Sequence, residues 1–285
     1  MLNEGHTRMQ TASSAPQAIP ATSVLADLRE MVVEQFEYRE VLRQMTLRDL
    51  TLRYKQTVMG FGWAVLMPLV NTAVFSVIFT RVARLDVGMP YPLYAFCGLL
   101  AWNFFASALR FSVTSLTSNQ ILVSKIYFPR EIFPISAVLV AVVDFAVALL
   151  PLAALMLYYR VPVGAPLLLL PVVVLVHVIF TTAIGLLLAM GNLFYRDVKY
   201  LFEVAITMWM FATSVLYPVQ RVGGRIGALL GLNPMTGIID AYRSVLLLNA
   251  WPSPTLAAAA LVSTLLLAIA WFAFHRSEFA FAEHL

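Results

Sequence analysis

Five stretches of this chain run for about twenty residues or more almost without charge: roughly 59–80, 91–113, 132–158, 166–194 and 255–274. A sixth, roughly 201–219, carries only Glu203, near its start. Each is long enough as a helix to cross ~30 Å of hydrocarbon, which takes ~20 residues. Helices are the economical solution, because every backbone donor and acceptor must be satisfied without water. The apolar surplus agrees: 61% of the 285 residues are hydrophobic and 12% charged, with a mean hydropathy of +0.83. One soluble core of this size cannot hide so much apolar surface, so lipid must cover the excess. The expected fold is an all-α membrane protein whose six transmembrane helices occupy residues 58–285.

Basic residues set the expected orientation. With the N-terminus in the cytoplasm, only Arg81, Arg84, Arg160, Arg221, Arg225 and Arg243 of the 19 Lys and Arg fall outside, and Lys55, Lys125 and Lys199 all fall inside. The positive-inside rule therefore favours a multi-pass protein with both termini cytoplasmic. Residues 1–22 are small and polar with no apolar core, which reads as a disordered cytoplasmic tail rather than a signal peptide. Cys97 is the sole cysteine, and His6, His177, His275 and His284 are scattered, so neither a disulfide nor a Cys/His metal cluster is expected.

Two regions depart from the pattern of plain spans. Residues 23–57 mix charge with apolar residues at helical spacing, with Tyr38, Val41, Leu42, Met45 and Leu52 on one face and Arg39, Arg43, Arg48 and Arg53 around the others. This suits an amphipathic helix in the cytoplasmic interface with its arginines near lipid phosphates; a helix packed on a soluble partner is the alternative. Between about 218 and 254 the chain is too apolar for an exposed loop. Yet Gly223-Gly224, Gly227, Gly231 and Asn233-Pro234 interrupt any continuous helix. Two short helices, about 225–231 and 235–249, are expected to dip into the outer leaflet and return, a re-entrant pair between the fifth and sixth spans.

The sequence excludes one chemistry directly. No Gly-x-x-x-x-Gly-Lys-Ser/Thr phosphate loop occurs, and none of the three lysines follows a glycine. If ATP drives this protein, another subunit must bind it. Asp144 lies near the middle of the third span, where an acid costs ~2.5–3.5 kcal/mol on insertion scales. It should therefore face protein or water, and His177, at similar depth in the fourth span, is a possible partner. A buried structural hydrogen bond competes with a proton-relay role for this pair. Aromatic and polar residues also share faces: Asn71, Phe75 and Phe79 with Pro68; Gly98, Trp102 and Phe105; and Thr207, Met210, Phe211, Ser214 and Tyr217, with Trp209 pointing elsewhere. Rings that stack on sugar C–H faces, with small polar groups for hydroxyls, would line a channel for carbohydrate. Taken one at a time, such residues are better accounted for by ordinary interfacial belts and helix packing; the channel reading draws level only when the three faces are taken together.

Two cytoplasmic segments have the look of docking elements. Ser118 to Glu131, with Lys125, Tyr127, Phe128, Pro129 and Arg130, could form a short interfacial helix; Asn192, Phe194, Tyr195, Arg196, Asp197 and Lys199 form a second connection. Together with Arg53-Tyr54-Lys55-Gln56-Thr57-Val58-Met59-Gly60, Trp63 and Pro68, Lys125 to Glu131 with Phe133-Pro134, Asn192 to Asp197, and Asn233-Pro234-Met235, they occur in an order and spacing that resembles the permease subunits of type-2 ABC exporters. The specific resemblance is to the polysaccharide branch, which exports O-antigen and teichoic acid (Wzm/TagG-like), across roughly residues 38–275.

That resemblance implies a homodimer in the inner membrane with two copies of a cytoplasmic ATPase subunit that carries ATP and Mg. The substrate would be an undecaprenyl-diphosphate-linked polysaccharide such as O-antigen. By the same resemblance, Lys125, Tyr127, Phe128, Pro129, Arg130, Arg196 and Asp197 would couple the spans to the ATPase. Asn233, Pro234 and Met235 would belong to a periplasmic gate, and the first and fifth spans would line the channel. The chain itself would hold no cofactor, contact no nucleic acid and catalyse no bond change. Rival readings are a type-2 exporter of a small molecule or drug, a membrane-embedded glycosyltransferase or polymerase, and a secondary transporter. The enzyme reading lacks clustered acids, since Asp86, Asp197 and Asp240 are dispersed, and nothing suggests an inverted repeat.

Overall fold

A computed structural model describes residues 36–55, 59–60, 62–82, 86–125, 128–219, 222–278 and 281. The expected tail at 1–22, the start of the amphipathic helix, and Tyr127 lie outside the described residues. Helix α1 is Arg39–Tyr54, α2 is Gly62–Val77 and continues into a π-helical turn at Ile78–Val82, and α3 is Tyr91–Ser118. Helix α4 is Gln120–Lys125, α5 is Ile132–Tyr158, and α6 is Leu170–Phe194, entered through a 3-10 turn at Ala165–Leu169. Then follow α7 (Val198–Phe211), α8 (Gly224–Gly231), α9 (Pro234–Leu246) and α10 (Pro254–Ser277). No strand occurs among the described residues.

The burial pattern is inverted relative to a protein folded in water. The segment 165–194, mean hydropathy 2.6, is only 33% buried over its most apolar window, and α10, at 2.3, only 17%. Helix α3, the least hydrophobic of the four long helices at 1.4, is 83% buried. Water would drive the most apolar helices inward; here they face outward, as they do where lipid is the solvent. Four helices are long and apolar enough to cross a membrane: α3, α5, α6 with its 3-10 turn, and α10. The two remaining expected spans are shorter, at 16 residues for α2 before its π turn and 14 for α7.

Helix α3 is the hub, packing against α2, α5, α6, α7 and α9. Its contacts are close because small residues permit them. A Cβ on Gly98 would collide with the Val215 carbonyl and the Arg243 guanidinium, and one on Gly185 of α6 would lie 3.0 Å from Ser112 Oγ. The break between α7 and α9 follows its chemistry. Gly223 and Gly224 take φ of 63° and 58° to enter α8, a region open to glycine without the Cβ penalty. Asn233 then caps α9, its side chain accepting from the Met235 N–H, with Pro234 in the first turn, where its missing N–H costs nothing. The two short helices therefore form where expected; α8 buries no residue, whereas α9 is mostly buried against α3, α6 and α10.

Helix α1 is held against the rest of the chain. It packs along α5, with Met45 buried and Tyr38, Val41 and Leu42 against a core cluster formed by α3 to α6 and α10. Leu52, expected on the same apolar face, is 61% exposed. Arg48 and Arg53 both reach polar groups of the protein. Arg48 meets Asp49 at 2.7 Å and Asn119 Oδ1 at 2.9 Å, and Ser136 Oγ donates to Asp49 at 2.8 Å. Polar partners on α5 and at the end of α3 draw these arginines inward.

Candidate functional site

Two separate clusters of charged groups lie among the helices, one around Asp144 and one around Arg243. On one side, Arg53 donates to Asp144 of α5, and the Tyr54 hydroxyl donates to the other oxygen of the same carboxylate. The Arg53 guanidinium also lies 3.9 Å from the Phe111 ring centroid, an added cation–π contact. The Arg53 and Asp144 side chains retain 16% and 19% exposure. They border a cavity of about 500 Å³ between α1, α2, α3 and α5, whose wall includes Trp63, Met67, Asn71, Asn103, Ser107 and Arg110. A mid-span acid thus meets a cation, a hydroxyl and open space.

His177 does not meet Asp144, contrary to the pairing suggested by depth alone. Its Nδ1 lies 3.4 Å from the Tyr242 hydroxyl, and its ring sits edge-on to Phe104 at 4.6 Å. Asp144 points toward α1 and α2, while His177 is enclosed among α3 and α9. Equal depth on neighbouring helices does not imply facing sides.

The second cluster surrounds Arg243 of α9. Its guanidinium donates to the carbonyls of Ser214 and Val215, the latter at 2.7 Å, and lies 3.6 Å from the Tyr94 ring centroid. Asp240 is 3.3 Å away and accepts from Ser214 Oγ at 2.9 Å. Carbonyls near a helix end lack intrahelical donors; here a buried arginine supplies them where the chain leaves α7. Asn233 reinforces the same break, its Nδ2 donating to Thr213 Oγ1 at 2.8 Å and to the Ala212 carbonyl at 3.2 Å. Pro234 starts α9, and Met235 is wholly buried.

The expected channel residues do not form one surface within this chain. Trp102 and Phe105 lie in the core, with Phe105 stacked on Phe180 at 5.6 Å and edge-on to Trp209 at 5.2 Å. Ser214 is buried beside Asp240, and Tyr217 turns its hydroxyl to the Phe211 carbonyl. Phe75 and Phe79 are half-buried, Phe79 stacking on Tyr91 at 5.5 Å. Asn71 and Phe211 are exposed. Around them, α2 exposes Met67, Val70, Val74 and Val77, and α7 exposes Leu201, Val204 and Met208.

The two candidate docking segments are built differently from each other. Helix α4 exposes Ile121 and Lys125, and Asn119 holds its entry by donating to the Ser115 carbonyl at 2.8 Å. Phe128 and Pro129 turn inward, Phe128 packing on Phe133 at 5.4 Å. Arg130 donates its backbone N–H to Glu278 Oε1 at 2.7 Å and its guanidinium to the Glu278 carbonyl. Burial, together with the charge of Glu131, pushes the Glu278 carboxyl up to about 7. By contrast, Tyr195, Arg196 and Asp197 form an exposed turn into α7. The contact of Glu131 with His275 and Glu278 is not visible in the scattered histidine positions; the i, i+3 spacing of His275 and Glu278 and the Pro129-Arg130-Glu131 corner are its local signals.

The chain is related to known transport proteins over most of its length. Residues 40–247 match the family model described as ABC-2 type transporter. The chain is 32% identical over 256 residues to the O-antigen export system permease protein RfbA of Myxococcus xanthus, spanning 88% of this chain and 98% of that relative. Two Klebsiella pneumoniae proteins of the same name are 28% and 27% identical over 207 residues, 72% of this chain and 80% of theirs. With its buried hub, outward apolar helices and a matching model from α1 to the end of α9, the chain belongs to the ABC-2 type transporter family.

Proposed function

We propose that this chain is the permease subunit of an ATP-driven exporter that moves a lipid-linked polysaccharide of the O-antigen type across the inner membrane. The observation that carries the reading is the 32% identity to an O-antigen export permease over 98% of that relative's length. A match of that extent covers the candidate coupling, channel and gate segments together.

In this reading the chain crosses the membrane six times with both termini cytoplasmic. Helix α2 and its π turn would cover roughly 30 Å at 1.5 Å per residue, and α7 with residues 212–219 would complete the fifth crossing. Helices α8 and α9 would be re-entrant from the outer side and gate the exit, with Asn233, Pro234 and Met235 at their junction. A homodimer would place the exposed faces of α2 and α7, including Asn71 and Phe211, around the polymer. Trp102 and Phe105 would support that wall from behind. Two ATPase subunits would supply the ATP and Mg chemistry that this chain's sequence does not encode. Lys125, Arg196 and Asp197 would touch them directly, while Phe128, Pro129 and Arg130 stiffen the corner that passes motion into α5.

Removing the gene from its host tests the reading. The expected result is loss of long-chain surface polysaccharide with lipid-linked polymer accumulating inside, both reversed by the intact gene. Unchanged surface polymer together with hypersensitivity to small toxic compounds would instead identify a small-molecule exporter.

A further inference from the structure

We propose that Glu131, His275 and Glu278 form a binding site for one divalent transition-metal cation, with Zn²⁺ the best match, where the start of α5 meets the end of α10. One donor atom from each residue lies within 4.8 Å of the other two. His275 Nδ1 is 3.5 Å from Glu131 Oε1 and 3.8 Å from Glu278 Oε2. Both separations are too long for a normal N–H···O hydrogen bond, which lies at about 2.7–3.2 Å. They are close to the ~3.4 Å edge of a tetrahedron whose metal–ligand distances are about 2.0–2.2 Å. The three atoms therefore have the spacing of ligands around a common centre.

A second observation points to that centre independently. Glu131 is 1% exposed, and its Oε2 has no hydrogen-bond partner among the described residues. A buried carboxylate oxygen left in this way is rare in a folded protein, and a cation bound by both Glu131 oxygens would satisfy it. Glu278 is oriented for the same task. Arg130 N–H holds its Oε1 at 2.7 Å, so that Oε2 faces His275. This is the kind of outer contact that fixes a metal ligand. His275 and Glu278 keep 22% and 16% exposure, which leaves an entry path and room for a water as fourth ligand. Two carboxylates and one imidazole suit Zn²⁺ as a three-ligand set with an open position. The inference rests on this geometry alone and not on the transport reading.

The test uses the full chain purified in detergent, stripped with a chelator and titrated with ZnCl₂ against a chromophoric competitor, with bound zinc counted by mass spectrometry. The expected result is one Zn²⁺ per chain and a zinc-dependent rise in melting temperature. Glu131→Gln should weaken binding by at least about tenfold, the loss that follows removal of even an outer partner of a metal ligand. His275→Arg guards against a variant that merely misfolds. Its guanidinium keeps a positive charge between the two carboxylates but cannot ligate, so the protein should fold normally and lose the zinc response. His6→Ala with His284→Ala should bind as the parent does. Absence of stoichiometric zinc in the parent chain, or His275→Arg and Glu131→Gln binding as tightly as the parent, would overturn the proposal. A parent that ignores zinc while His275→Arg alone raises the melting temperature would identify an ion-pair cluster instead.

Discussion

Two arginine–aspartate pairs sit among apolar helices here, and they do opposite jobs. Arg53 and Asp144 come from helices 91 residues apart in sequence and keep 16% and 19% exposure beside a cavity. Arg243 and Asp240 are three residues apart on α9, and Arg243 is 4% exposed with both terminal nitrogens on backbone carbonyls. The first pair joins two separate elements, α1 and α5, at the edge of that cavity. The second locks the end of α7 to α9 and supplies donors to the Ser214 and Val215 carbonyls. Charge inside a membrane protein therefore marks a joint in one place and a rivet in the other; what distinguishes them is burial and the partners beyond the acid.

The strongest way to break this comparison is Arg243→Met. It strips the cation from Asp240 and the donors from Ser214 and Val215, and removing one partner of a buried pair costs about 3–5 kcal/mol. A thermal melt in detergent should show little folded protein; a melt close to that of the parent would show that the break in α7 holds without its arginine. Asp144→Ala should be milder, about 1–3 kcal/mol, because Arg53 keeps some access to water and its contact with Phe111. Pairing it with Arg53→Met should recover most of that loss, since the two effects are coupled. Asp144→Asn sharpens the point: export close to that of the parent marks a joint, whereas abolished export in a normally folded protein would favour a proton relay. The smallest effect is expected at Arg110–Glu203, where both side chains are about half exposed at 3.1 Å. Glu203→Gln should change stability by less than about 1 kcal/mol, and a larger loss would mean that this pair anchors α7 to α3.

Much of the helix plan was legible because its signals are local. Long uncharged runs mark α3, α5, α6 and α10, and Gly223-Gly224 with Asn233-Pro234 bound the two short helices that the structure contains. The cost of Asp144 in a span was equally plain, but its partner was not. Arg53 reaches it only because α1 climbs along α5, and no periodicity within 23–57 reports that packing. Matching depth offered His177, which faces another side. The aromatic face of α3 was misread for a related reason. In a membrane protein, core, channel and lipid sides can all be apolar, so spacing finds the face containing Trp102 and Phe105 without saying that it points inward. The approach of Glu131 to His275 and Glu278 is likewise invisible along the chain, because the last turn of α10 returns to a corner 144 residues upstream of His275.

The most direct test of the central claim is to purify the tagged chain from native membranes in mild detergent and assay what accompanies it for ATP hydrolysis. The account predicts a separate ATPase subunit in equal amount, released when Lys125 and the exposed Arg196-Asp197 turn are replaced by alanine in a chain that still folds. Recovery of the folded chain alone, with no ATPase under several gentle conditions, would contradict it.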